Sequence, residues 1–111
     1  PDIMYMGGLT RSLKVAKMAA TANIPCTPHA ANLSLVTVCT MHFLKAIPNA
    51  GKYLEFSIEG TDYYPWQQKL FLDNPFSVKE GNITITDTPG WGVIINPEWL
   101  ESSEYAVSEI K

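Results

Sequence analysis

Pro1-Asp2-Ile3-Met4-Tyr5-Met6-Gly7-Gly8-Leu9-Thr10 is followed, one helix-length and one short apolar run later, by Pro28-His29. An acid at the end of one buried strand and a histidine at the end of the next bring two titratable groups to the same rim of a parallel sheet. Gly7-Gly8 reads as a turn, and Thr10 as the N-cap of a helix running to about Ala22. Leu9, Leu13, Ala16 and Ala20 fall on one face, while Arg11, Lys14, Lys17 and Thr21 fall elsewhere, as an amphipathic helix requires. Asn23 supplies its stop.

Outward from that stretch the same rhythm repeats. Ile24 to Thr27 is a short apolar run suited to a strand buried on both faces, although Pro25 and Pro28 each remove a ladder donor. A second helix is expected from about Leu33 to Ala46, apolar nearly all round, ending at the breaker cluster Pro48-Asn49-Ala50-Gly51. Lys52 to Ile58 reads as a third strand. Strand end, helix, strand, helix, strand is a pair of βαβ units, so the fold class is α/β with a parallel sheet. After Gly60 the character changes. Phe76 to Thr86 reads as a hairpin turning at Glu80-Gly81-Asn82, Val93 to Ile95 as a short strand, and Pro97 to Tyr105 as a helical turn or two.

Composition narrows the function. Charged residues make up 17% of the 111, against about a quarter in a typical domain, which implies that other protein covers much of the surface. A net charge of −3 with eight scattered Lys and Arg offers no basic stripe, so nucleic acid is not an expected partner. Leu33 to Ile47 is the nearest approach to a membrane span, and Ser34, Thr37, Thr40, His42 and Lys45 interrupt it. Cys26 and Cys39 read as buried thiols, and Cys39 with His42 supplies only two ligands, too few for zinc. With no secretory signal in view, a cytoplasmic setting is expected and the Asn32 and Asn82 sequons are read as chance matches. Gly7-Gly8 lacks the third glycine of a nucleotide loop.

The run Pro1-Asp2, Gly7-Gly8-Leu9-Thr10, Pro28-His29, Ala46-Ile47-Pro48-Asn49, Leu54-Glu55-Phe56, Gly81-Asn82-Ile83, Pro89-Gly90-Trp91-Gly92-Val93 and Asn96-Pro97 resembles the enolase superfamily. More narrowly it is similar to the mandelate racemase subgroup, which includes many acid-sugar dehydratases. The resemblance covers almost the whole chain in family order. It implies the C-terminal part, strands six to eight and their helices, of a (β/α)7β barrel of the TIM type. Residues 1–60 would be the barrel units, and 61–111 an extension contributing to an α+β capping domain.

The resemblance also implies chemistry: removal of a proton alpha to a carboxylate, with a divalent metal, usually magnesium, supporting the enediolate. His29 would be the general base or acid, and Asp2 would orient its ring and raise its basicity. Glu55 would hydrogen-bond the substrate carboxylate. Each has a plainer rival: Asp2 as a loop acid, His29 as a surface residue, Glu55 as an ordinary ion-pair partner. Asn32 is a candidate substrate contact, though N-capping of the second helix would account for it equally. His42, Trp66, Trp91 and Trp99 read as packing residues. The interval from His29 to Pro48 is longer than in mandelate racemase itself, which favours a dehydratase. Met4 to Gly8 offers no lysine of the kind the muconate cycloisomerase branch would carry.

The family's metal ligands would come from strands three to five, so none is expected in this chain. The sequence therefore reads as a C-terminal piece, inactive alone, of an enzyme acting on a small acid-sugar or hydroxy-acid substrate. A three-stranded parallel sheet also leaves raw edges, so the remainder of the enzyme or a second copy of the chain, in a homo-oligomer, is the expected partner.

Overall fold

Three extended stretches run side by side in one direction in the computed structural model of the chain, which describes residues 1–109; Ile110 and Lys111 lie outside the described residues. The His29 N–H donates to the Pro1 carbonyl at 3.0 Å, which pairs Asp2 with His29 in parallel. The Cys26 N–H donates to Asn49 O at 2.7 Å, and Gly51 N–H to Cys26 O at 2.8 Å, which pairs Cys26 with Ala50 in parallel. The middle lane is therefore the one that ends at His29. Helix α1 (Leu9–Thr21) joins the first lane to the second, and α2 (Leu35–Ala46) joins the second to the third.

The expected strand over 24–27 is reduced to the single bridge at Cys26, and the one expected over 52–58 is not formed, the third lane pairing at Ala50 instead. Pro25 and Pro28 have no N–H to give to a ladder, which breaks the middle lane into single pairings. Register is held by side chains instead. The Asn49 amide donates to the carbonyls of Ala16 and Ile24, each at 3.0 Å, tying the start of the third lane to α1 and to the second. Gly51 faces Thr27 so closely that any Cβ would run into the threonine side chain.

Both helices begin differently from the sequence reading. Gly8, with φ 93°, is the N-cap of α1, and Thr10 lies inside the helix. Ser34 caps α2 by accepting the Val36 N–H at 3.3 Å, so Asn32 is not the cap. Asn23 does end α1, in the left-handed region at φ 56°. The Ile24 N–H reaches Ala19 O and the Asn23 N–H reaches Ala20 O, the paired bonds of a Schellman motif.

The buried stripe of α1 runs through Ser12 and Ala16 with Leu9 beside it, while Leu13 is 46% exposed. Small side chains let the helix come close to the lanes, so the bulky Leu13 is turned outward. Ala16 meets Ile3, Cys26, Phe43 and Ile47 in a first core cluster. Helix α2 was expected to be apolar nearly all round, and it is used on two sides. Phe43, Cys39 and Leu44 join the first cluster, while Val38 and Met41 join a second with Phe71 and Phe76.

That second cluster anchors the segment after Gly60. A single 3-10 turn (Gln67–Lys69) leads to Phe71, which pairs antiparallel with Ile95. Between them β1 (Val78–Lys79) and β2 (Asn82–Ile83) form the hairpin, turning at Glu80 (φ 50°) and Gly81 (φ 74°). Two central residues with positive φ match the twist of paired strands, as in a type I′ turn. Ile83 and Ile85 alternate inward with Thr84 and Thr86 outward. Asn96 caps α3 (Pro97–Ser102). No helix among the described residues is long and apolar enough to cross a membrane.

The burial pattern makes a direct prediction for denaturant unfolding. Phe43→Ala, which empties a site shared by the lanes and α2, is expected to cost about 3–5 kcal/mol. Leu13→Ala is expected to stay within about 0.5 kcal/mol of the parent. A comparable cost at both positions would show that α1 presents the other face to the core.

Candidate active site

The parallel pairing of Asp2 with His29 brings the two side chains together at the ends of adjacent lanes. His29 Nδ1 lies 2.7 Å from Asp2 Oδ2. The other carboxylate oxygen is equally engaged. Asp2 Oδ1 accepts the Met4 N–H at 2.8 Å and the Tyr5 N–H at 2.9 Å, closing a turn in which an aspartate caps the backbone two and three residues ahead. The carboxylate plane is thus fixed by the turn before it meets the histidine.

Electrostatics reinforce the geometry. Burial pushes the Asp2 carboxyl up, but the hydrogen bonds from Tyr5, His29 and Met4 outweigh it and hold the group below its ordinary range. An ionised carboxylate can only accept, so the imidazole donates from Nδ1–H and its Nε2 is left free to take or give a proton. For His29 the hydrogen bond to Asp2 raises the pKa most, and the charge of Glu55 adds to it.

Glu55, at the far end of the third lane, completes the cluster. Its Oε2 accepts the Ala30 N–H at 2.8 Å, and its Oε1 lies 3.9 Å from His29 Nε2. Asp2 is largely enclosed, at 15% side-chain exposure, whereas His29 and Glu55 are about half exposed at 49% and 47%. The imidazole therefore stands between the two acids, with Nδ1 toward Asp2 and Nε2 toward Glu55. A hollow of about 330 Å³ between α2 and the loop carrying Trp91 shares no lining residue with them.

Among the described residues Asn32 makes no hydrogen bond to Asp2, His29 or Glu55. Its backbone carbonyl accepts the Ser34 N–H and the Thr37 hydroxyl, and its Oδ1 is buried without a hydrogen-bond partner. His42 serves packing, with Nε2 on the Trp91 carbonyl at 3.0 Å and its ring edge-on to the indole. Cys26 is buried and Cys39 half-buried, both free thiols. The sequence reading missed the backbone donors of Met4, Tyr5 and Ala30. An acid two residues ahead of an exposed turn was a sufficient signal for the first two; nothing local announced the third.

The residues present do not fit a divalent cation. Magnesium wants several oxygens converging on one point. Both oxygens of Asp2 are committed to N–H donors, one oxygen of Glu55 is committed to Ala30, and the imidazole lies between the two acids. Among the described residues no group of three or more His, Cys, Asp or Glu converges as metal ligands would.

The dyad predicts a pH signature. Because the folded pKa of His29 is raised, its contribution to stability is full below about pH 6.5 and fades as pH climbs through the folded value. The depressed Asp2 contributes above about pH 3.9 and loses that contribution as pH falls through its own folded value. The pair thus supports the fold most between those limits. In an NMR titration His29 is expected to have a midpoint above the ordinary histidine value, and Asp2→Asn is expected to lower it. An unmoved midpoint in that variant would show that the two side chains do not meet.

Comparison with known proteins places the chain in a family. Residues 1–99 match the family described as enolase C-terminal domain-like. L-rhamnonate dehydratase of Saccharopolyspora erythraea is 30% identical over 88% of this chain and 24% of its own length. A crystal structure from Roseobacter denitrificans, provisionally designated a racemase, is 62% identical at a TM-score of 0.92, covering 99% of this chain and 30% of that one. An Agrobacterium tumefaciens enolase of the mandelate racemase subgroup is 28% identical at a TM-score of 0.65, covering 86% and 25%. A Burkholderia xenovorans protein provisionally designated an L-alanine-DL-glutamate epimerase, bound to magnesium and fumarate, is 31% identical at 0.69, covering 82% and 21%. The chain spans about a quarter of the length of the curated dehydratase it matches. The chain belongs to the enolase C-terminal domain-like family, and its relatives include an L-rhamnonate dehydratase and an enolase of the mandelate racemase subgroup.

Proposed function

We propose that this chain supplies the proton-transfer end of an enzyme that acts alpha to a carboxylate, with dehydration of an acid sugar as the reaction. The observation that carries the reading is the Nδ1 to Oδ2 hydrogen bond of 2.7 Å between the ends of two parallel lanes. In that reading the lanes ending at Asp2, His29 and Glu55 are strands six, seven and eight of a (β/α)7β barrel. The segment from about residue 61 onward belongs with a cap.

His29 moves the proton through Nε2, while Asp2 fixes the tautomer and steadies the imidazolium. Dehydration requires loss of a hydroxyl beta to the carboxylate, and an imidazolium held between two acids is suited to protonating that leaving oxygen. Glu55 Oε1, free of protein donors, is placed to meet the substrate. Asn32 is a further candidate contact, since its buried Oδ1 has no partner within the chain. Magnesium, where the whole enzyme binds it, would stabilise negative charge on the substrate, and its ligands would come from outside the described residues.

A racemase or epimerase is the second reading, favoured by the 62% identity to the provisionally designated racemase. The product separates the two. With the chain in its whole-protein context, an acid-sugar panel is expected to yield a 2-keto acid, and an epimer without keto acid would establish the second reading. His29→Asn is expected to lower turnover by about 10²–10⁴-fold, the usual worth of a general acid or base. An unchanged rate would remove His29 from the mechanism. The 111-residue chain alone, supplied with magnesium, is expected to give no turnover; measurable product would contradict that.

A further inference from the structure

We infer that Glu55 is a positioning residue for His29: from the side opposite Asp2, its carboxylate keeps a proton on the imidazole Nε2. The inference rests on the proposed role of His29 and goes beyond it, because it gives Glu55 work to do before any substrate is present. Glu55 Oε1 faces Nε2 at 3.9 Å, beyond hydrogen-bond reach but within the range where opposite charges attract. The separation is not left to a flexible side chain. Glu55 Oε2 accepts the N–H of Ala30, the residue directly after the histidine, at 2.8 Å. The backbone that carries the imidazole therefore also holds the acid that faces it.

The plainer alternative, an ordinary surface ion pair with a lysine or arginine, has no counterpart among the described residues, where the cationic partner of Glu55 is His29. The charged groups facing the ring are Asp2 at Nδ1 and Glu55 at Nε2. Two acids at opposite nitrogens leave the imidazolium with an anion at each N–H. The hydrogen bond to Asp2 is the larger influence and Glu55 the second, in keeping with their distances. The proton so held sits on the nitrogen that faces Glu55, between two side chains that are about half exposed.

The test reads protonation rather than turnover, so its failure is distinguishable from failure of the proposed reaction. Glu55→Gln keeps an oxygen for the Ala30 N–H and removes the charge. In a histidine NMR titration of the full chain, this variant is expected to lower the midpoint of His29. A His29 midpoint unchanged in Glu55→Gln would overturn the inference. A second measurement needs no variant. The Glu55 side-chain carboxyl carbon of the parent chain is expected to show an inflection at the pH where His29 titrates, and a curve without it would overturn the inference equally, even if the glutamine variant fails to fold.

Discussion

A single carboxylate organises both the local backbone and the chemistry of this chain. Asp2 gives one oxygen to the N–H groups of Met4 and Tyr5 and the other to the imidazole of His29. The first pair of bonds makes a rigid turn out of the residues that leave the first lane. The second fixes the ring on the neighbouring lane. Neither would be accurate without the other, because a carboxylate free to rotate would not hold one tautomer. The parallel pairing of Asp2 with His29 is the backbone condition for all of it; α1 joins those two lanes, and the Asn49 amide ties the third lane to α1 and to the second.

Helix α2 is the second constraint. One side packs on the lanes through Phe43, and the other receives Phe71, Phe76 and the hairpin isoleucines through Val38 and Met41. The segment after Gly60 is thus attached to α2 and, through Leu54 and Phe56, to the third lane on either side of Glu55. His29 and Glu55 remain about half exposed. A proton-transfer group needs such access, and a histidine fully enclosed by its own fold would have none.

The order of helices and lanes was legible because periodicity, glycine and proline carry it. Asn23 and the cluster from Pro48 to Gly51 ended the helices where the structure ends them, and Glu80-Gly81 turned the hairpin. Ladder pairing was less legible. Two prolines in one lane reduce it to isolated bridges, a consequence visible in the residues but outweighed by their apolar run. The inward face of α1 was misplaced at Leu13, because close packing on the lanes favoured Ser12 and Ala16 over a larger apolar side chain. Asp2 and His29 could be paired from spacing and resemblance alone. The bond from Ala30 to Glu55 could not, since a backbone donor has no sequence signature.

The most direct measurement of the account is the tautomeric state of His29, read from nitrogen chemical shifts and one-bond proton couplings of the imidazole above its titration. Donation to Asp2 requires the proton on Nδ1, with Nε2 carrying the lone pair. That result is predicted. A neutral ring protonated at Nε2, the form usual for a free histidine, would mean that the Asp2 carboxylate does not hold the imidazole, and the proton-transfer reading would fall with it.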